Sequence, residues 1–261
     1  MSQAKQWVKK RYGTIAKGKR GGCCEAPACD CDSATTAAAR IGYDASDLAA
    51  VPEGANLGLG CGNPLALAGI RPGETVLDLG SGAGLDAFLA AERVGPAGRV
   101  IGVDLTPEMI AQAKRNAAKG GYANVEFRLG DIENLPVESG SVDLVISNCV
   151  LNLVPDKAKA FQEIARVLRP GGRVSVSDIV LEKPLPAALV GDEGAYCSCV
   201  SGAMERGKYL ALLSAAGLLE VTVASEVDAA AILGADCGDE GLAELAGVVS
   251  SLHITARKPG A

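Results

Sequence analysis

Residues 74–84 read Glu-Thr-Val-Leu-Asp-Leu-Gly-Ser-Gly-Ala-Gly, and this stretch decides the fold. Pro72-Gly73 ahead of it is a turn signal, and Thr75–Leu79 is a short β-rich run expected to alternate in burial. Gly80, Gly82 and Gly84 follow, and the chain then enters an apolar, Ala-rich helical pattern from Leu85 to Val94. A strand, a glycine-rich turn and a helix start make a nucleotide site. The glycines permit positive φ and close approach of the backbone, and the first helical turn presents unpaired N–H groups.

Two carboxylates narrow the choice of nucleotide. Asp78 stands one residue before the glycine loop, where a dinucleotide fold carries an apolar residue; a carboxylate there repels phosphate and suits a cation. Asp104 ends a second strand, Val100-Ile101-Gly102-Val103, about 20 residues past the loop, the distance expected of a carboxylate that grips ribose hydroxyls. The loop does not fit G-x-G-x-x-G. D-L-G-S-G-A-G at 78–84 followed by G-V-D at 102–104 resembles instead the signature of S-adenosylmethionine-dependent methyltransferases.

The totals set wide bounds. The chain has 261 residues, enough for one α/β domain with additions and a full core. Its net charge of −6 argues against a nucleic-acid-binding body. No apolar run reaches the length of a membrane span, and the start lacks the apolar centre of a signal peptide, which predicts a cytoplasmic protein without a membrane partner. Nine cysteines and a single histidine are the unusual counts. In a reducing compartment such cysteines serve metal binding or catalysis, or are simply buried. His253, in the strand-like run S-L-H-I-T-A-R, reads as structural, so Cys–His pairs and mixed zinc sites have almost no material.

In chain order, residues 1–20 carry seven Lys/Arg and no acid, with Trp7, Val8, Tyr12 and Ile15 near helical spacing, which predicts a basic amphipathic helix. Cys23, Cys24, Cys29 and Cys31 crowd a Gly/Pro/Asp-rich loop as C-C-x4-C-x-C, unlike the C-x2-C repeats of zinc clusters. V-P-E-G-A-N-L-G-L-G-C-G-N-P at 51–64 is glycine-rich but follows no strand, so it reads as a substrate-side loop. Cys61, between two glycines, is expected to be accessible, and residues 64–70 to be helical. Past the glycine loop the alternation is regular. Strand 100–104 leads to a helix with Thr106 as N-cap and Pro107 at its first position. Strands follow at 124–129, 141–147 and 173–178, the last two separated by a helix that ends before Pro170-Gly171-Gly172. This order predicts a parallel, doubly wound sheet with ligands beyond the carboxyl ends of its strands. Gly80–Gly84, Asp104, Asp131 and Asn148-Cys149 all lie at those ends. Beyond Asp178 the alternation relaxes. Pro184 and Pro186 mark a connector, Cys197 and Cys199 precede a helix at 208–216, and runs 219–224 and 252–257 look like closing strands, with Cys237 between them.

Cys61, Cys149 and Cys199 are far apart in sequence, and Cys149 falls at the end of the fourth strand, beside the expected methyl donor. The segments around them resemble the arsenite methyltransferases over nearly the full length. I-G-Y-D at 41, V-L-D-L-G-S-G-A-G at 76, G-V-D-L-T-P-E-M-I at 102 and V-E-F-R-L-G-D-I-E-N-L-P-V at 125 all match. L-G-C-G-N-P at 59, S-N-C-V-L-N-L-V-P-D-K at 147 and C-V-S-G-A at 199 match more selectively. The resemblance implies a Rossmann-like class I fold with a mostly parallel seven-stranded sheet, an N-terminal extension and a substrate-binding insertion. The corresponding divisions are 1–70 (N-terminal helix and Cys-bearing loops), 71–180 (cofactor core) and 181–261 (insertion and closing strands).

By that resemblance Cys61, Cys149 and Cys199 match the family's three arsenic-binding cysteines, and one N-terminal cysteine matches a fourth in thiol redox. Cys197 doubles the thiol beside Cys199, but the match on C-V-S-G-A favours Cys199. Implied with them are S-adenosylmethionine, an external reductant of thioredoxin or glutathione type, arsenite or its thiol conjugates as substrate, and a monomer. Trivalent arsenic is soft and thiophilic; three thiolates leave its lone pair free to attack a sulfonium methyl without a general base. Positioning then supplies most of the acceleration, about 7–11 kcal/mol when alignment is good. In the cofactor site Gly80, Ser81, Gly82 and Gly84 are expected by the methionine part and ribose, and Asp104 with Leu105 by ribose and adenine. Ile132 and Glu133 are expected by adenine, Asn148 near the methionine end, and Asp78 as an orienter of the loop. Two alternatives stay open: a methyltransferase for a small organic acceptor with incidental cysteines, and a non-catalytic protein sequestering soft ions through its N-terminal thiols.

Overall fold

The computed structural model describes residues 2–18, 34–229, 232 and 245–260. Cys23, Cys24, Cys29, Cys31 and Cys237, and any role for them, lie outside the described residues. Helices α1 (Gln3–Ala16), α2 (Ala34–Arg40) and α3 (Ala45–Ala50) precede the sheet. The alternating body is β1 (Thr75–Leu79), α4 (Leu85–Val94), β2 (Arg99–Asp104), α5 (Pro107–Gly120), β3 (Val125–Leu129), β4 (Val142–Asn148), α6 (Lys157–Val167) and β5 (Leu168–Leu181). It closes with α7 (Glu193–Cys197), β6 (Met204–Glu205), α8 (Arg206–Ala215), β7 (Leu219–Asp228) and β8 (Val249–Arg257). Among the described residues no helix is long and apolar enough to cross a membrane.

Seven strands run in the order β3-β2-β1-β4-β5-β8-β7, and the two-residue β6 pairs with β5. All pairings are parallel except those of β8, which is antiparallel to both neighbours. The chain builds from β1 outward to β3 and then returns to lay β4 on the other side of β1, so the strand order reverses between β1 and β4. That reversal opens a crevice at the carboxyl ends, where open α/β sheets bind ligands. Leu79 pairs with Val103 on one side and Ser147 on the other, which sets Gly80, Asp104 and Asn148 around the crevice.

β1 does not alternate in burial as expected. Val76 through Leu79 are all buried, because helices cover both faces of an inner parallel strand. The side-chain period survives as a choice of core: Leu77 and Leu79 join Phe161, Ile164 and Tyr209 on one face, whereas Val76 joins Phe88, Leu65 and Ile146 on the other.

Three further expectations are corrected. Residues 64–70 form turns rather than a helix. The carbonyls that would open that helix are taken from outside, Pro64 O by Ser175 Oγ at 2.7 Å and Leu65 O by Arg93 Nη1 at 2.8 Å. Thr106 occupies the N-cap of α5 but its side chain caps nothing; Asp104 Oδ1 instead accepts from Thr106 N at 2.7 Å. The fifth strand begins at Leu168, earlier than expected: Pro170-Gly171-Gly172 forms an irregularity within it rather than its boundary, with Gly171 at φ +74° and its N–H on the carbonyls of Lys258 and Pro259.

Candidate active site

The glycine turn is held by its own backbone and by one carboxylate. Gly80 N and Ser81 N both donate to Val103 O, at 2.8 and 3.1 Å, and Gly82 N donates to Asp104 Oδ2 at 3.0 Å. Asp104 therefore ties the loop to α5 through its other oxygen, and burial raises its pKa. Gly80 has φ +66°, and a Cβ there would stand 2.4 Å from Val150 Cγ2, so no other residue fits without displacing Val150. Asp78 lies under the loop, 2 % exposed, bonded to the backbone of Ala87 and pushed well above the usual carboxylate pKa by burial, with Asp86 and Asp104 adding to the shift. Its Oδ2 and the Ser81 hydroxyl are buried without a protein partner. The N–H groups of Gly80, Ser81, Gly82 and Gly84 are all spent on protein acceptors. What the turn offers a ligand is close backbone approach and two unpartnered buried oxygens, which fit a ligand that carries a cation and hydroxyl groups.

Leu105 and Ile132 supply apolar surface farther along the edge, in and beside a cleft of about 810 Å³ that α1 roofs. Glu133 is committed to protein partners. Its Oε2 accepts from Lys5 Nζ at 2.5 Å and its Oε1 from Asp156 N at 2.9 Å, while Lys5 also reaches Asp131 Oδ2 at 2.6 Å. Burial disfavours the Lys5 ammonium, but the two carboxylates outweigh it and raise its pKa. The basic N-terminal helix thus faces the cofactor edge rather than solvent alone.

The three singled-out thiols come together from three loops. Cys149 follows β4 with φ +55° and donates N–H to Ser177 O at 2.7 Å. Cys199 follows α7 with φ +66°, and its Sγ donates to Cys149 O at 2.8 Å. Left-handed backbone at a non-glycine residue is uncommon and strained, and it recurs here at two of the three thiols. Cys61 arrives from the glycine-rich loop, where Asn148 Oδ1 accepts from Cys61 N at 3.0 Å. It is not accessible but 1 % exposed. Its flanking glycines act opposite to expectation: a Cβ at Gly60 would stand 2.8 Å from the Asn148 amide and one at Gly62 2.7 Å from Ser177 Cβ, so their absence lets the loop press onto the sheet edge. Cys61, Cys149 and Cys199 share one apolar cluster with Val8, Leu153 and Ile179, and Cys197 is not in it.

Burial raises the Cys61 pKa, and burial together with the neighbouring Cys199 and Cys61 thiols raises that of Cys149 well above normal. Burial pushes Cys197 up to about 11. Both shifted thiols of the cluster are therefore protonated at neutral pH until a ligand replaces their protons.

Asn148 joins the two halves of the crevice. Its amide donates to Tyr43 Oη at 2.9 Å, Gly62 O at 2.8 Å and Asp86 Oδ2 at 3.4 Å while its oxygen holds Cys61 N. Tyr43 in turn donates to Asp86 Oδ1 at 2.5 Å. Tyr43, Asp86, Asp178 and Lys5 escaped the sequence reading. Asp178 had a usable signal: it is an acid at the end of the strand expected at 173–178, although β5 itself runs on to Leu181.

The profile of a methyltransferase domain matches residues 70–217. An arsenite methyltransferase of Halobacterium salinarum is 46 % identical over 98 % of this chain and 67 % of its own length. The chain belongs to the arsenite methyltransferase family. Within the class I methyltransferases that contain this family, a solved arsenic(III) S-adenosylmethionine methyltransferase from Chlamydomonas reinhardtii shares 34 % identity and a TM-score of 0.61, covering 88 % of this chain and 74 % of that one. The Aquipseudomonas alcaligenes arsenite methyltransferase is 42 % identical over 56 % of this chain, which spans only 43 % of that relative. As a member of this family the chain is an S-adenosylmethionine-dependent methyltransferase with the Rossmann-like fold.

Proposed function

We propose that this enzyme methylates trivalent arsenic held by Cys61, Cys149 and Cys199. The observation that carries the proposal is the gathering of three buried thiols, from loops 88 and 50 residues apart, at the strand ends beside the glycine turn. A methyltransferase for a small organic acceptor has no need of them.

S-adenosylmethionine supplies, when bound, an electrophilic methyl group on a sulfonium sulfur. The glycine collar of Gly80, Ser81, Gly82 and Gly84 would hold its methionine part and ribose, with Asp104 at the hydroxyls and Leu105, Ile132 and Glu133 around the adenine. Asp78 and Asp86 place carboxylates near the cationic end, Asp86 with a pKa raised to about 6 chiefly by burial. Asn148 ties that end to the Cys61 loop. The thiols exchange their protons for arsenic as its hydroxide ligands leave as water, giving a neutral trithiolate that a dry pocket tolerates. No step calls for a general base. His253 is occupied elsewhere, its Nε2 2.8 Å from Ser175 Oγ in the sheet interior. The chain would act as a cytoplasmic monomer without nucleic-acid or membrane partner, recharged by an external thiol reductant of the thioredoxin or glutathione type.

The test is a product assay with arsenite, S-adenosylmethionine and a thiol reductant, read by arsenic speciation. Methylated arsenic is expected. Cofactor binding with no methylated product would favour the organic acceptor.

A further inference from the structure

The tightest ligand grouping in the thiol pocket is not made of three sulfurs. Cys61 Sγ, Cys149 Sγ and a carboxylate oxygen of Asp178 all lie within 4.8 Å of one another, on three buried residues, the sole grouping of this kind among the described residues. Cys199 is not part of this grouping, although its thiol neighbours that of Cys149 and donates to the Cys149 carbonyl at 2.8 Å. Asp178 is fully buried, its Oδ2 accepting from Tyr209 Oη at 3.0 Å and its Oδ1 from Ile179 N at 3.1 Å. Lys157 lies close enough to act on its charge, with Nζ also on the carbonyls of Asn152 and Val154 at 3.3 and 3.1 Å.

A carboxylate oxygen is a poor ligand for soft arsenic, whereas zinc-class dications accept thiolate and carboxylate together in a four-coordinate site. Two thiolates and one carboxylate are balanced by a dication and the Lys157 ammonium, so the buried set carries no net charge. A cation of +1 would leave an uncompensated negative charge in the interior.

We propose that Cys61, Cys149 and Asp178 form a site for a divalent zinc-class cation, which shares two thiols with the arsenic site and therefore competes with arsenite. On binding, the two S–H bonds break, two metal–sulfur bonds form and the two thiol protons pass to the buffer, together with the carboxyl proton wherever Asp178 carries one, burial having raised its pKa to about 7. Cys199 keeps its proton and its bond to Cys149 O, and water takes the fourth position. The site stands on the donor geometry and does not require arsenic to be the substrate.

The test uses the full chain with Cys23, Cys24, Cys29, Cys31 and Cys237 replaced by Ser, and Co2+ as the spectroscopic probe. One Co2+ per chain is expected, with a thiolate charge-transfer band and intense tetrahedral d–d absorption, both abolished by arsenite. Asp178→Asn should weaken Co2+ binding by at least about tenfold and leave arsenite binding unchanged, whereas Cys199→Ser should do the reverse, each effect being the size expected of a lost ligand. Because Asp178→Asn also disturbs Tyr209 and Lys157, the Cys199→Ser arm decides the matter if that variant does not fold. Equal Co2+ affinity with and without the Asp178 carboxylate, loss of both ligands in Cys199→Ser, or simultaneous binding of Co2+ and arsenite would each overturn the proposal. A parent chain that takes Co2+ but not arsenite would sink the arsenic reading and leave this one standing.

Discussion

The two sides of the crevice are built in opposite ways. The cofactor side is local: Asp78 through Gly84 is one unbroken turn, Asp104 reaches it across a single strand pairing, and the stabilising bonds are backbone N–H to carbonyl or carboxylate. The thiol side is assembled from three loops that meet only in the folded chain, with two cysteines in left-handed backbone and the third pressed in between glycines. A local site is made by its sequence, whereas an assembled site depends on every element that aims at it. Damage to one should therefore spare the other.

The largest effect should come from the thiols. Cys149→Ser or Cys199→Ser is expected to lower arsenic methylation by about a hundredfold or more, since lost positioning costs at least that much, while calorimetry shows unchanged cofactor affinity. Unchanged turnover in both variants would remove the three-thiol site. Asp104→Ala is the converse. It unties Gly82 and Thr106, and cofactor affinity should fall by about tenfold to a hundredfold, with arsenite binding intact. A titration showing no change would disprove the ribose assignment.

Lys5→Met tests whether α1 serves the cofactor side. It leaves Asp131 and Glu133 without their cation, and should cost about 1–3 kcal/mol in denaturant unfolding. Because folding raises the Lys5 pKa, its contribution is complete at neutral pH and is lost only as pH climbs past the unfolded value of about 10.4. A loss that changed between pH values of about 6 and 8 would point to another group.

Tyr43→Phe, the smallest, removes a bond shared by both sides. The Asp86 carboxyl has its pKa raised to about 6, chiefly by burial and against the Tyr43 and Asn148 hydrogen bonds. A raised acid binds its proton more tightly when folded, so ionising Asp86 lowers stability as pH climbs from about 4 to about 6. Without the Tyr43 hydroxyl the ionised form is worse off, and the variant should lose about 1–2 kcal/mol near pH 8 and less near pH 5. Equal losses at the two pH values would mean that Asp86 stays protonated throughout.

The same asymmetry governed what could be read in advance. Strand, glycine turn and helix from Thr75 to Val94 follow from neighbours along the chain, as do the alternating elements through Asp178. Residues 64–70 misled, because the carbonyls of Pro64 and Leu65 are taken by Ser175 and Arg93, which are distant in sequence. Cys61 misled for a related reason: glycines signal room, but whether that room faces water or another backbone is settled by what packs there.

The amino-acid sequence by itself determined the parallel sheet, the glycine collar and its acids, and the three thiols worth watching. Periodicity, turn chemistry and residue softness are properties of the chain alone. Only the tertiary structure decided that Cys61 is buried, that Lys5 closes on Asp131 and Glu133, that Asn148 joins cofactor side to thiol side, and that Asp178 stands among the sulfurs. Each of these depends on distances across the fold, and on charges whose effect is set by how completely the other elements exclude water.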